Sequence, residues 1–185
     1  MARNRPRPAR DPRRGPPRWA WALLALVVLG IAGAIASQWM AAHRRPAGIE
    51  VYFVVRGTGR VGSLVPVRRP APDGPPEVRL RAALRALLDG PHDARLHTEI
   101  PEGTALLGVT VRDGVVTVDV STTFASGGGS TSMLGRVWQV VYTASQFPDA
   151  PAVQILINGR RVEALGGEGI LIGAPLRRPD TPPSF

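Results

Sequence analysis

The sequence contains no cysteine and no lysine. Without cysteine there is no disulfide framework and no thiolate metal site, and the acylated cysteine of a lipoprotein anchor is missing too. All 23 basic residues are arginine, a bias of coding-DNA composition that carries no mechanism. Histidine is scarce: His43 lies in a linker, and His92 and His97 share one polar loop with Asp93 and Glu99. That spacing matches no helical ligand pair, so no metal site is expected there. No GxSxG, HExxH or P-loop motif occurs. The run Gly127-Gly128-Gly129-Ser130 is followed by no lysine and reads as a flexible loop rather than a phosphate cradle. No catalytic, cofactor-binding or metal-ligating residue is nominated, and an enzyme is not expected.

Net charge is also nearly absent from most of the chain. The formal net charge is +9, but residues 1–48 hold nine arginines against Asp11, whereas residues 49–185 hold fourteen arginines and thirteen acids. The basicity belongs to the N-terminal tail, which argues against a nucleic-acid partner for the rest. A length of 185 residues allows one ordinary domain plus appendages.

From Trp19 to Ala42 no residue is charged, and Ala20 to Ala36 contains only Ala, Trp, Leu, Val, Gly and Ile. About 20 such residues at a 1.5 Å rise cross the roughly 30 Å hydrocarbon core. A transmembrane helix is therefore expected over 19–42, with Trp19, Trp21 and Trp39 as interface anchors and the lipid bilayer as a partner. Seven arginines precede the span and only Arg44 and Arg45 follow closely, which keeps residues 1–18 in the cytoplasm as a disordered basic tail. Residues 43–48 are a linker, and the C-terminal part is placed outside the cell. A cleavable signal peptide is the alternative, because Ala34-Ile35-Ala36 has the small-x-small form of a cleavage site.

In the remainder, Leu107, Val109 and Val111, then Asp113-Gly114, then Val116, Val118 and Val120 predict a β-hairpin with a type I′ turn and one apolar row on each strand. Residues 49–55 alternate as a first strand. Leu64 to Val67 is a second, which Pro66 restricts to a sheet edge. Leu80, Ala83, Leu84, Leu87 and Leu88 form the apolar stripe of a helix over 77–89, stopped by Gly90-Pro91. A second helix is expected over 132–147, with its N-cap among Ser130 to Ser132 and an apolar face of Val137, Val140, Val141, Ala144 and Phe147. Val153 to Ile157 is a further strand, and Asn158-Gly159 turns it into a short return. The order β-β-α-β-β-α-β-β predicts an α+β two-layer sandwich, a mixed or antiparallel sheet with both helices on one face. Residues 179–185 read as a disordered tail.

These residues resemble the GerMN domain family over about 49–178. The resemblance rests on Leu64-Val65-Pro66-Val67, Leu87-Leu88 with Gly90-Pro91, Ile100-Pro101 with Gly103-Thr104, and Val118-Asp119-Val120-Ser121 before Phe124. It continues through Gln139, Val140, Thr143, Gln146 and Phe147, then Val153 to Gly159, then Pro175-Leu176-Arg177. It implies an extracytoplasmic, non-catalytic domain of bacterial cell-envelope and sporulation or germination proteins.

Four residues are candidates for a partner or ligand surface. Asp119 and Ser121 share the strand face opposite Val118 and Val120, with local hydrogen bonding as the bland explanation. Trp138 and Tyr142, at i and i+4, lie partly off the apolar stripe of the second helix; exposed, they would mark an interface. The expected function is a membrane-anchored interaction module, joining an envelope protein or a second copy of itself. A peptidoglycan-binding module is the alternative, and a hydrolase a minor one.

Overall fold

The computed structural model describes residues 30, 48–55, 63–147, 151–166, 169–183 and 185. The chain divides into units 1–46 and 47–185, and the fold below is that of the second. The span expected over 19–42, its anchors Trp19, Trp21 and Trp39, and the tail and linker beside it lie outside the described residues, except Gly30 and Gly48. Among the described residues no helix is long and apolar enough to cross a membrane.

The architecture is α+β. Strands β1 (Ile49–Val55) and β2 (Leu64–Arg69) lead to helix α1 (Pro76–Leu88), then β3 (Leu96–His97), β4 (Leu106–Arg112) and β5 (Val115–Val120). A 3-10 turn (Thr122–Ala125) precedes helix α2 (Ser130–Ala144), followed by β6 (Ala152–Ile157), β7 (Ala164–Leu165), β8 (Ile170–Leu171) and β9 (Leu176–Arg177).

Local chemistry sets most of these boundaries. Pro76 opens α1, where its missing N–H is no loss. Gly90 closes it at φ 85°, a left-handed value that a Cβ would penalise. Asp113 (φ 51°) and Gly114 (φ 75°) form the expected type I′ turn between β4 and β5. Asn158 and Gly159 adopt the same geometry after β6, but the return is a single bridge between Ile157 and Arg160 rather than a strand.

Three expectations are corrected by the structure. The strands do not form one sheet: they form β2-β1-β3, β4-β5-β6-β9 and a β7-β8 pair. The apolar row expected in β4 begins at the wrong residue, because a bulge between Leu106 and Gly108 shifts the alternation. Leu106 packs on the core while Leu107 is 48% exposed. The N-cap of α2 is Gly129, with no side-chain cap, one residue before the serines expected to supply it.

Both helices pack on β1 and on each other; α1 also lies along β4, and α2 along β6 and β8. Parallel pairing of β5 with β6, across the α2 crossover, makes β6 an almost wholly buried strand. β1 is apolar on both faces. Val51 and Phe53 enter the main core with Leu80, Leu84, Val137 and Val140, while Tyr52 and Val54 enter a smaller cluster with Leu64, Tyr142 and Phe185.

The sheets stay separate because an edge of β1 is closed by a helix. Val55 N donates to Ser63 O, so alternate β1 residues face β2, and Glu50 and Tyr52 turn their backbone groups the other way. Gln146 accepts from Glu50 N and donates to Glu50 O, both at 2.8 Å. Thr143 Oγ1 accepts from Tyr52 N (3.1 Å), and Gln139 Nε2 donates to Tyr52 O (3.0 Å). The Gln139 Oε1 also accepts from Glu99 N at 2.8 Å, tying the segment after β3 to the same helix. On the other side β2 is an edge strand, as Pro66 requires.

Gln139 is fully buried. Gln139→Leu, which keeps the volume but leaves the Tyr52 carbonyl and Glu99 amide unpaired, is expected to lower unfolding free energy by about 2 to 4 kcal/mol. Urea unfolding of the full chain checks it, with a markedly smaller loss expected for Gln146→Ala at its half-buried site.

Candidate interaction surface

Arg136 is the only charged residue between Ser130 and Phe147, and it is 1% exposed. Its guanidinium gathers the loop before α2: Nη1 donates to Phe124 O (2.7 Å) and Ser126 O (3.0 Å), and Nη2 to Gly127 O (3.0 Å) and Ser132 Oγ (3.1 Å). Carbonyls that a glycine-rich loop would leave orphaned are thereby satisfied by one buried cation. Burial pulls the Arg136 pKa down and the Glu99 charge opposes that shift.

Glu99 continues the network. Its carboxylate accepts from Ser132 and bonds His97 Nε2 at 2.9 Å. Desolvation pushes its pKa up, but the bonds from Ser132 and His97 and the charges of His97 and Arg136 outweigh it and the net shift is downward. The order is serine, carboxylate, imidazole. Activation of a serine nucleophile needs the imidazole in the middle, so this arrangement fixes the loop and does not generate an alkoxide.

The other polar residues of that loop do not converge. His92 Nδ1 meets Arg69 Nη1 at 2.9 Å, and Asp93 is paired with Arg95 at 2.7 Å, which holds its carboxyl well below the usual range. Among the described residues no group of three or more His, Asp or Glu is placed to hold a metal ion. A shallow hollow of ≈ 390 Å³ lies between β2 and this loop, lined by Val67, Arg69, Pro91, His92, Asp93 and Leu96.

Asp119 and Ser121 are both half-buried at the end of β5. Asp119 Oδ1 accepts from Gly159 N at 2.8 Å, pinning the turn after β6. Ser121 Oγ accepts from Ala105 N at 3.0 Å, while Ser121 N donates to Ala105 O at 2.9 Å, closing the approach to β4. Their hydrogen bonds serve the sheet.

Trp138 and Tyr142 stand together but not as an exposed pair. Tyr142 is fully buried and Trp138 half-buried, with ring centroids 6.2 Å apart at 72°. Tyr142 also meets Tyr52 at 5.2 Å. Tyr142 is covered by Arg178 and by residues of the stretch 179–185, which the sequence reads as a disordered tail. The Arg178 guanidinium lies 5.0 Å from the Tyr52 ring centroid and 4.5 Å from that of Tyr142, and its Nη2 donates to Tyr52 Oη at 2.8 Å. Tyr142 Oη donates to Pro179 O at 2.8 Å, and Phe185 is 7% exposed within the same cluster. Burial raises the pKa of both tyrosines. Gly135 makes room for this packing, since a Cβ there would sit 2.7 Å from both Phe185 Cε2 and Glu99 Cγ. Sequence reasoning missed Arg136, Arg178 and Phe185; the one available signal was a single charge on an otherwise uncharged helix.

Arg136→Met should cost about 2 to 4 kcal/mol by stranding three loop carbonyls, and hydrogen exchange should speed up over residues 124–129. The Glu99 contribution has a definite pH sign. With a folded pKa below the ordinary 4.5, it is present above that value and lost as pH falls through the folded pKa. Urea midpoints followed from neutral pH to about pH 3 should drop less steeply in Glu99→Gln than in the parent, once acid-side losses from the other carboxylates are matched.

Residues 50–163 match the Germane family, described as "Sporulation and spore germination". The fold is similar to the first GerMN domain of the sporulation protein GerM from Bacillus subtilis, at TM-score 0.59 and 24% identity, covering 71% of this chain and 97% of that one. It is also similar to the tandem GerMN domains of the same protein, at TM-score 0.56 and 22% identity, covering 73% of this chain and 46% of the tandem. A search of curated proteins gave no match. With the family matched over more than half of its length, on a fold shared with solved GerMN domains, this chain belongs to the Germane family of sporulation and spore-germination domains.

Proposed function

We propose that this chain is a membrane-anchored, extracytoplasmic interaction module without catalytic activity, working in a bacterial cell-envelope assembly of the kind that serves sporulation or germination. The observation that carries this reading is how the polar side chains are spent. Arg136, Glu99, Gln139, Asp119 and Ser121 each bind backbone or loop groups of the domain itself. Such a molecule works by the shape of its surface. Family membership supports the sporulation or germination context, and the uncharged run from Trp19 to Ala42 supports anchorage with residues 1–18 in the cytoplasm. Peptidoglycan recognition through an aromatic platform is less favoured, because Tyr142 is buried and Trp138 half-buried.

Proximity crosslinking of the full-length protein in its native membrane tests the proposal. The expected result is capture of itself or of envelope-assembly proteins, with the peptide of residues 1–36 still attached. Recovery of wall fragments alone, or loss of that peptide, would overturn it.

A further inference from the structure

Among the described residues, the strand edges of the domain are closed in different ways. Pro66 interrupts the outer edge of β2, Gln139, Thr143 and Gln146 close β1, β6 is buried, and the outer strands β3 and β9 are two residues long. The exception is β4, the outer strand of its sheet, with seven residues, no proline and no charge before Arg112. Its open side follows from the pairing of β5. Asn158 N donates to Val120 O and Ala152 N to Gly114 O, so Val116, Val118 and Val120 turn their backbone groups to β6, while Val115, Thr117 and Asp119 turn theirs to β4. The partners of those three are Arg112, Thr110 and Gly108. The N–H and C=O groups of Val109 and Val111 therefore point away from the sheet, and the bulge before Gly108 confines this regular edge to residues 108–112. One side chain reaches it: Arg81 of α1 makes a long hydrogen bond, 3.5 Å, to Val109 O. Leu107, beside the edge, is one of three large apolar side chains exposed among the described residues.

We propose that the 108–112 edge is a docking site for an extended segment of a partner protein, added to the sheet as a further strand with an acidic side chain against Arg81. This rests on the interaction-module reading above and names that module's surface. An open strand edge recognises backbone: the incoming chain must be extended, so that its own N–H and C=O groups meet those of Val109 and Val111. Charge then selects the side chains. Those of an added strand that lie on the core face emerge beside α1, which packs along β4. Arg81 is on that helix, with Arg85 one turn further along, and among the described residues neither forms an ion pair. A carboxylate offers the Arg81 guanidinium a charge-assisted partner in place of Val109 O, which the added strand claims with a backbone N–H. Side chains on the opposite face lie beside Leu107 and Thr110, both exposed, where apolar residues are suited.

The probe is a labelled, end-blocked peptide, Thr-Val-Glu-Val-Glu-Val-Thr, which as a strand puts its glutamates on one face and its valines on the other. It is titrated against the full-length protein in detergent micelles. Saturable binding is expected, with slowed hydrogen exchange over residues 108–112, and binding should weaken by about tenfold or more when lysine replaces both glutamates. Arg81→Glu should reverse that preference. Val111→Pro removes an N–H that bonds no other strand, as Pro66 does at the edge of β2, and should abolish binding, whereas Val111→Thr, which keeps the N–H, should retain it. Absence of binding, binding indifferent to Arg81→Glu, or dimerisation of the chain through β4 in place of peptide binding would overturn the proposal. Capture of envelope proteins by proximity crosslinking that is unchanged by Val111→Pro and by Arg81→Glu would remove the edge as the docking site and leave the interaction-module reading standing.

Discussion

The fold depends on how one strand edge is satisfied. β1 is apolar on both faces and must be buried, yet only its last two residues pair with β3 on the side away from β2. The N–H and C=O groups of Glu50 and Tyr52 would be left unpaired inside the protein, at about 1 to 3 kcal/mol each. Gln139 and Thr143 on α2, with Gln146 just past its end, spaced i, i+4 and i+7, supply all four partners. A helix thus takes the place of a neighbouring strand. That substitution keeps the two main sheets apart and blocks strand addition at this edge.

The same helix carries three further duties on different faces. Val137, Val140, Val141 and Ala144 fill the main core, Arg136 gathers the carbonyls of the preceding loop, and Trp138 and Tyr142 build the smaller aromatic cluster. Such a helix has almost no solvent-facing surface, which is why it carries one charge in the whole stretch from Ser130 to Phe147. Gly135 is costly in a helix interior, by about 1 kcal/mol relative to alanine. Its value lies in the close approach of Glu99 on one side and Phe185 on the other.

The polar groups that might have formed a reactive centre are committed to holding loops and edges, and the serine, carboxylate and imidazole that do meet are in the wrong order for nucleophilic attack.

Elements governed by nearest neighbours were legible in the sequence: the Asp113-Gly114 turn, the Gly90 stop, the edge position forced by Pro66, and the apolar stripe of α1. Each follows from backbone sterics or a short periodicity acting within a few residues. The two-residue strands β3 and β9 left no pattern long enough to read, and the bulge that turns Leu107 outward is set by pairing with β5. Gln139, Thr143 and Gln146 could be picked out by resemblance, but their partners lie 87 to 96 residues away, so their purpose did not show in any local window. The burial of Phe185 and the covering of Tyr142 by Arg178 are likewise long-range events. The sequence by itself determined the elements, their ends and the lack of catalytic motifs, because those rest on local sterics and residue chemistry. Only the tertiary structure decided which polar groups meet and which aromatic rings are hidden, because that depends on which distant segments the burial of β1 brings together.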